Sequence, residues 1–150
     1  MTPCFLNVDL DITSRSKLDS LAAAMGNAVI VLYSGPVQGR HLLVLESSRE
    51  HIGPDATIRA LCTVVEKLPS DARSDWYAAH KEFNVGYELR ASELFSQFRL
   101  RPDTLHRVAN LGATLAVTYY RSDDAEPDAA PKRRPASPRA TRVRRKGGDR

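Results

Sequence analysis

Residues 4–12 read CFLNVDLDI, and apolar and polar side chains alternate along this stretch. The apolar positions that would share one face are Leu6, Val8, Leu10 and Ile12. Alternation with a period of two predicts a β-strand that has one buried face and one polar face. A sheet built from such strands needs a second layer on one side only, and amphipathic helices elsewhere in the chain can provide it.

The strongest helix pattern in the chain spans residues 53–69. It opens with Gly-Pro-Asp, which places a proline and an acid in the first turn, and Pro69 ends it. Its apolar positions recur at helical spacing and are Ile58, Leu61, Cys62, Val65 and Leu68. This stripe predicts a helix that packs on the sheet.

Three shorter helices are predicted around it. The first follows a cap at Ser14 or Ser16, buries Leu18, Leu21, Ala22 and Met25, and ends at Gly26. The second spans residues 70–76. The third spans residues 102–112, begins at a proline, and has Leu105, Val108 and Leu111 on its apolar side.

The remaining strand patterns cover residues 28–33, 41–46, 82–89, 94–100 and 114–120. The first two are separated by SGPVQG at residues 34–39, which predicts a turn and therefore a hairpin. The resulting order of elements predicts an α+β fold with helices on one face of a mainly antiparallel sheet. We expect a two-layer sandwich, ferredoxin-like or closely related.

Residues 10–33 and 98–119 share a pattern of strand, helix, Met-Gly or Leu-Gly, and strand. This similarity has two interpretations. It indicates either a duplicated βαβ unit or the chance likeness of any two such units. In the duplicated case, both copies would contribute strands to one sheet about a pseudo-twofold axis.

The charge of the chain is unevenly distributed. Residues 1–121 hold 13 basic and 13 acidic residues, so the net charge of +4 comes from residues 122–150. That segment is rich in Pro, Arg and Ala and has one large aliphatic residue, so we expect a single domain over 1–121 and a disordered tail over 122–150.

The predicted tail contains two basic clusters. They comprise Lys132, Arg133 and Arg134, and then Arg142, Arg144, Arg145 and Lys146. Such clusters can contact nucleic-acid phosphates weakly and without sequence preference. The alternative is a solubilising extension, since acids at 123–128 compete for the same cations.

Side chains suited to metal binding or catalysis are few and scattered. Asp9 and Asp11 leave their strand on one side and could supply oxygen ligands, or they could simply face solvent. The four histidines lack metal-binding spacing, and Cys4 and Cys62 provide no disulfide framework. We therefore predict no metal and no cofactor.

Aromatic residues suggest a further candidate site. Trp76 and Tyr77 could line a ligand groove, or Trp76 could lie in the core with Tyr77 at its rim. An enzyme site around His80, Glu82 and Tyr87 is a separate hypothesis, which requires these three side chains to meet in one cleft.

Residues 98–120 read FRLRPDTLHRVANLGATLAVTYY. This segment resembles the C-terminal unit of a widespread bacterial family of small domains of unknown function, and the resemblance covers residues 82–120. It implies a stand-alone bacterial α+β domain and carries over no catalytic residues.

The sequence as a whole favours a binding module over an enzyme. We expect it to bind a protein partner or a second copy through the exposed face or edge of the sheet, or through the Trp76–Tyr77 groove. No signal-peptide pattern or membrane-length apolar run occurs, so we predict a cytoplasmic protein. Nucleic-acid binding through the tail and an unrecognised enzyme site are the alternatives.

Overall fold

A computed structural model describes residues 4–89 and 97–121 of the chain. The predicted tail and its basic clusters lie outside the described residues. The elements are β1 (Cys4–Ser14), α1 (Asp19–Met25), β2 (Val29–Val37), β3 (Arg40–Ser47), α2 (Gly53–Glu66), α3 (Ser70–Ala78), β4 (His80–Leu89), α4 (Pro102–Asn110) and β5 (Thr114–Arg121). A single 3₁₀ turn, Gly26–Ala28, links α1 to β2.

The five strands form one mixed sheet in the order β2-β3-β1-β4-β5. The first four strands pair antiparallel, and β5 pairs parallel to β4 after the crossover through α4. The order β2-β3-β1-β4 is the arrangement of a split β-α-β-β-α-β unit, which confirms the predicted ferredoxin-like α+β class. The α4–β5 unit extends this sheet by one edge strand.

The helices cover one face of the sheet. Its buried positions alternate along the strands and are Val8, Leu10, Ile12, Leu43, Leu45, Phe83, Val85 and Tyr87. The predicted α2 stripe is confirmed, because all five of its apolar positions are buried. We call the other side the open face; its alternate positions include Asp9, Asp11, Leu42, Val44, Glu46, Glu82 and Asn84.

Two strand predictions need correction. Leu6 is 47% exposed, because a β-bulge between Phe5 and Asn7 inserts one residue and turns Phe5 towards the core instead. The predicted six-residue turn is shorter, because β2 continues to Val37. Gln38 and Gly39 make the turn with φ values of 49° and 76°, as a type I′ hairpin requires.

The predicted strand over residues 94–100 is not confirmed in residues 97–100, which are the part of it that the structure describes. Residues 97–100 have no regular structure, and residues 94–96 lie outside the described part of the chain. The second copy of the proposed internal duplication therefore lacks its own first strand. β4 takes that place instead and forms a parallel βαβ unit with α4 and β5.

Two helix details also differ from expectation. Neither Ser14 nor Ser16 caps α1, because Leu18 occupies the N-cap position and the Ser14 hydroxyl accepts the Ser16 backbone N–H at 3.1 Å. In α4 it is Thr104 that is buried, together with Val108, whereas Leu105 is exposed. The predicted burial of Val108 and Leu111 is confirmed, and Thr104 takes the place of Leu105 on the face that packs on the core.

Polar contacts fix α4 against α2. Arg107 donates two hydrogen bonds to the Glu66 carboxylate, at 2.8 and 2.6 Å, and the hydrogen bond from Arg107 lowers the pKa of Glu66. At the other end, the Asp55 carboxylate accepts the backbone N–H of Arg101, the N-cap residue of α4, at 2.8 Å.

Among the helices of the described ranges, none is long and apolar enough to cross a membrane.

Candidate functional site on the open face

Four carboxylates lie together at the centre of the open face. Asp9 and Asp11 come from β1, which is the middle strand of the sheet. The strand register places Glu46 of β3 opposite Asp9 and Glu82 of β4 opposite Asp11. We call Asp9, Asp11, Glu46 and Glu82 the acidic patch.

The electrostatics of the acidic patch are unfavourable to ionisation. Burial raises the pKa of Asp9 to about 6, and the charges of Asp11 and Glu46 add to this effect. Burial and the charge of Glu82 raise the pKa of Asp11 as well. Both groups therefore hold protons more tightly than an ordinary aspartate, because desolvation and like charges penalise the carboxylate form.

Uncharged side chains supply the hydrogen bonds in the acidic patch. Asn7 donates to Asp9 Oδ1 at 2.8 Å, and Thr114 donates to Glu82 Oε2 at 3.0 Å. Gly86 leaves room for Asn7, since a Cβ atom there would lie 2.9 Å from Asn7 Oδ1. Within residues 4–89 and 97–121, no lysine or arginine forms an ion pair with the patch.

The acidic patch does not have the arrangement of a metal site. Across the described residues, no three His, Cys, Asp or Glu side chains come together in a way that could hold a metal ion. What the patch presents is a set of separate acceptors that are spread over three neighbouring strands. This arrangement can receive several basic groups of a larger partner at once.

Apolar side chains border the acidic patch on the β2 side. Ile30 of β2 pairs with Glu46, and Tyr33 pairs with Val44, which itself pairs with Asp11. Ile30 and Tyr33 are both exposed. The open face thus places carboxylates directly beside an accessible apolar surface.

A cleft of about 490 Å³ lies at one end of this surface. The pairing of β1 with β3 ends at Asp9, whereas β1 itself extends further, towards its N-terminal end at Cys4. The cleft forms beside this unpaired part of β1. Glu46 and Ile30 contribute to its wall, as does the loop that follows β3. Ser47 Oγ, at the end of β3, and His51 Nε2, in that loop, lie 3.1 Å apart and share a hydrogen bond, so His51 serves to order the loop.

Trp76 and Tyr77 do not line the predicted groove together. Trp76 is fully buried and donates its indole N–H to the Leu111 carbonyl at 2.9 Å. Tyr77 is 57% exposed. Lys81 Nζ lies 5.5 Å from the centre of the Trp76 ring and 5.9 Å from the centre of the Tyr77 ring. The alternative interpretation, with Trp76 in the core and Tyr77 at the rim, is confirmed.

The three residues of the enzyme hypothesis do not converge. His80 and Glu82 occupy alternate positions that face the open side, whereas Tyr87 is buried on the helix-covered side. The cysteines are both free; Cys62 is buried, and burial raises the pKa of its thiol to about 11. The geometry brings neither set of groups together around a substrate-sized space.

The sequence predicts two of the four members of the acidic patch. Alternation with buried residues marks Asp9 and Asp11, whereas the sequence does not place Glu46 and Glu82 beside them. Each of them alternates with core residues on its own strand, and that is the signal which marks its face. Their proximity to β1 depends on the strand order, which alternation alone does not determine.

Comparisons with protein-family models, curated proteins and solved structures found no match for this chain. The resemblance of residues 82–120 to small bacterial domains therefore stays a prediction.

Proposed function

We propose that this protein is a non-enzymatic binding module and that it binds a protein partner through the open face of its sheet. The observation that carries the proposal is the acidic patch, whose half-buried carboxylates have no basic partner among the described residues. Groups that are held in an unfavourable electrostatic state are often retained for binding rather than for stability.

The chemistry of the surface defines the partner. Lysine or arginine side chains placed over the patch would supply the missing positive charge, and the exposed side chains of Ile30 and Tyr33 would bury apolar area beside them. The complementary surface therefore carries basic groups next to apolar ones. Such charge complementarity contributes to partner choice and to the rate of association.

The raised pKa of Asp9 gives this interaction a defined pH dependence. Above about pH 6 Asp9 is ionised and attracts cations, whereas below that pH it is protonated and neutral. A basic partner favours the ionised form and lowers the pKa of Asp9, so complex formation releases protons. We therefore expect weaker binding as the pH falls through 6.

Affinity capture from cells that produce the protein tests this function. The full chain should retain a partner that Asp9→Asn/Asp11→Asn loses and that Asp71→Asn/Asp75→Asn, a charge-matched control on α3, retains. With the purified partner, calorimetry should show at least about tenfold weaker binding to the double variant, since close charge pairs often contribute more than 1.4 kcal/mol.

Two results would contradict the proposal. One is that the double variant recovers the same partners with the same affinity as the unaltered chain. The other is that no protein is enriched by any of the three baits.

We further propose that the protein acts in the cytoplasm of a bacterium. The free thiols of Cys4 and Cys62 suit a reducing compartment, and residues 82–120 resemble bacterial domains. Fractionation of the producing cells should place the protein with cytoplasmic markers, and recovery with periplasmic or membrane markers would refute this location.

A further inference from the structure

The edge strand β2 exposes a run of large apolar side chains. Five large apolar side chains along it are between 40% and 48% exposed, and they are Ile30, Val31, Leu32, Tyr33 and Val37. Apolar side chains leave β2 on both faces, because residues 29–33 are consecutive apolar residues, and a register shift between Val31 and Tyr33 makes Leu32 an extra residue. Among the strands of residues 4–89 and 97–121, β2 pairs with β3 alone, and its outer edge therefore offers backbone donors and acceptors.

β2 has a β-bulge at Leu32, which is one of the features that keep edge strands from pairing, but it lacks two others. Edge strands are commonly protected by charged residues, above all lysine, or by a central proline. β2 is the one strand of the five described that has no charged residue. Its proline, Pro36, lies next to the hairpin turn, so the outer edge of residues 29–35 stays able to pair.

We infer that β2 pairs antiparallel with β2 of a second copy of this chain and joins the two sheets into one. A charge-free strand can pair with its own copy about a twofold axis without placing like charges opposite each other. Each exposed apolar side chain then meets side chains of the same set. A partner strand that carried charges would have to desolvate them against this surface.

Repulsion between the two acidic patches does not oppose this dimer. The nearest patch residues across the axis are the two copies of Glu46, which lie on β3 and are three strand spacings apart. Three spacings correspond to about 14 Å. This distance exceeds the screening length of about 8 Å at physiological salt.

Sedimentation equilibrium of the full chain over about a hundredfold range of concentration tests the inference. The unaltered chain should form a dimer that dissociates on dilution. Val31→Lys should raise the dissociation constant at least about tenfold, because pairing would bury an ammonium group at the new interface. Val117→Lys is the matched control, since Val117 faces the helix side of the other edge strand and is 37% exposed.

Three outcomes would overturn the inference. The unaltered chain could be monomeric throughout, Val31→Lys could leave the dimer intact, or Val117→Lys could be the variant that dissociates it. The last result would place the interface on β5. Thermal unfolding followed by circular dichroism checks that both variants fold.

Hydrogen exchange of the unaltered chain provides a test that needs no variant. The backbone amides of residues 29–35 that point away from β3 should lose protection on dilution, whereas those of the central strand β1 should not. Protection of these outward-pointing amides that is independent of concentration contradicts the dimer. The inference and the proposed function fail separately, because Val31→Lys leaves the acidic patch unchanged and Asp9→Asn/Asp11→Asn leaves β2 unchanged.

Discussion

The Asp9 carboxylate in the acidic patch opposes folding at neutral pH. The pKa of Asp9 rises from its ordinary value of 3.8 to about 6 in the folded protein. The folded state therefore binds the Asp9 proton more tightly than the unfolded state does between these two pH values. It follows that the contribution of Asp9 to stability falls as the pH rises from about 4 to 6, and that the penalty persists above pH 6.

Asp9→Asn should therefore stabilise the protein at pH 7. A complete conversion of the shift would give about 3 kcal/mol, but Asp9 is only half-buried and solvent screens its charge, so we expect about 1 kcal/mol. Urea unfolding at pH 7 and pH 4 measures this gain, which should be larger at pH 7. Asp75→Asn is the control, and a destabilised Asp9→Asn variant at pH 7 would show that the carboxylate supports the fold.

At the scale of elements, one side chain connects two helices. Asp55 lies in the first turn of α2, and its carboxylate accepts the Arg101 N–H at the start of α4. Burial is the largest single effect on the pKa of Asp55 and raises it. The hydrogen bond from Arg101 and the smaller contributions of nearby groups together outweigh burial, so the net pKa is lowered. α4 thus receives its N-terminal cap from another helix and not from its own sequence.

Asp55→Ala should lower the free energy of unfolding by about 1 kcal/mol, which is the usual cost of losing an N-terminal cap. Asp55→Asn should cost less, because its amide oxygen can still accept the hydrogen bond. Chemical denaturation of the two variants measures the difference. Equal stability of Asp55→Ala and the unaltered chain would mean that the contact does not anchor α4.

The elements that the sequence predicted well are those whose periodicity reflects burial. The α2 stripe from Ile58 to Leu68 is buried as expected, and Val8, Leu10 and Ile12 face the core. One failure occurs where an extra residue changes a side chain's direction. The bulge that exposes Leu6 is such a place, because alternation continues in the sequence although the strand geometry is interrupted.

At the scale of the whole molecule, the two sides of the sheet have separate roles. The helix-covered side holds the core and stabilises the fold, whereas the open face gathers carboxylates from β1, β3 and β4. Neither the neutral charge of residues 1–121 nor any single strand predicts this concentration of charge. It arises from the strand order, which places β1 between β3 and β4.

The account requires that the acidic patch, which has no basic partner among residues 4–89 and 97–121, also stays unneutralised in the full chain. A pH titration of the side-chain carboxyl ¹³C resonances by NMR, carried out on the full chain, tests this most directly, because it also reports any charge supplied by residues 122–150. We predict a midpoint of about 6 for Asp9 and a lower midpoint in Asp11→Asn. A midpoint at or below 3.8 that Asp11→Asn does not change would contradict the account.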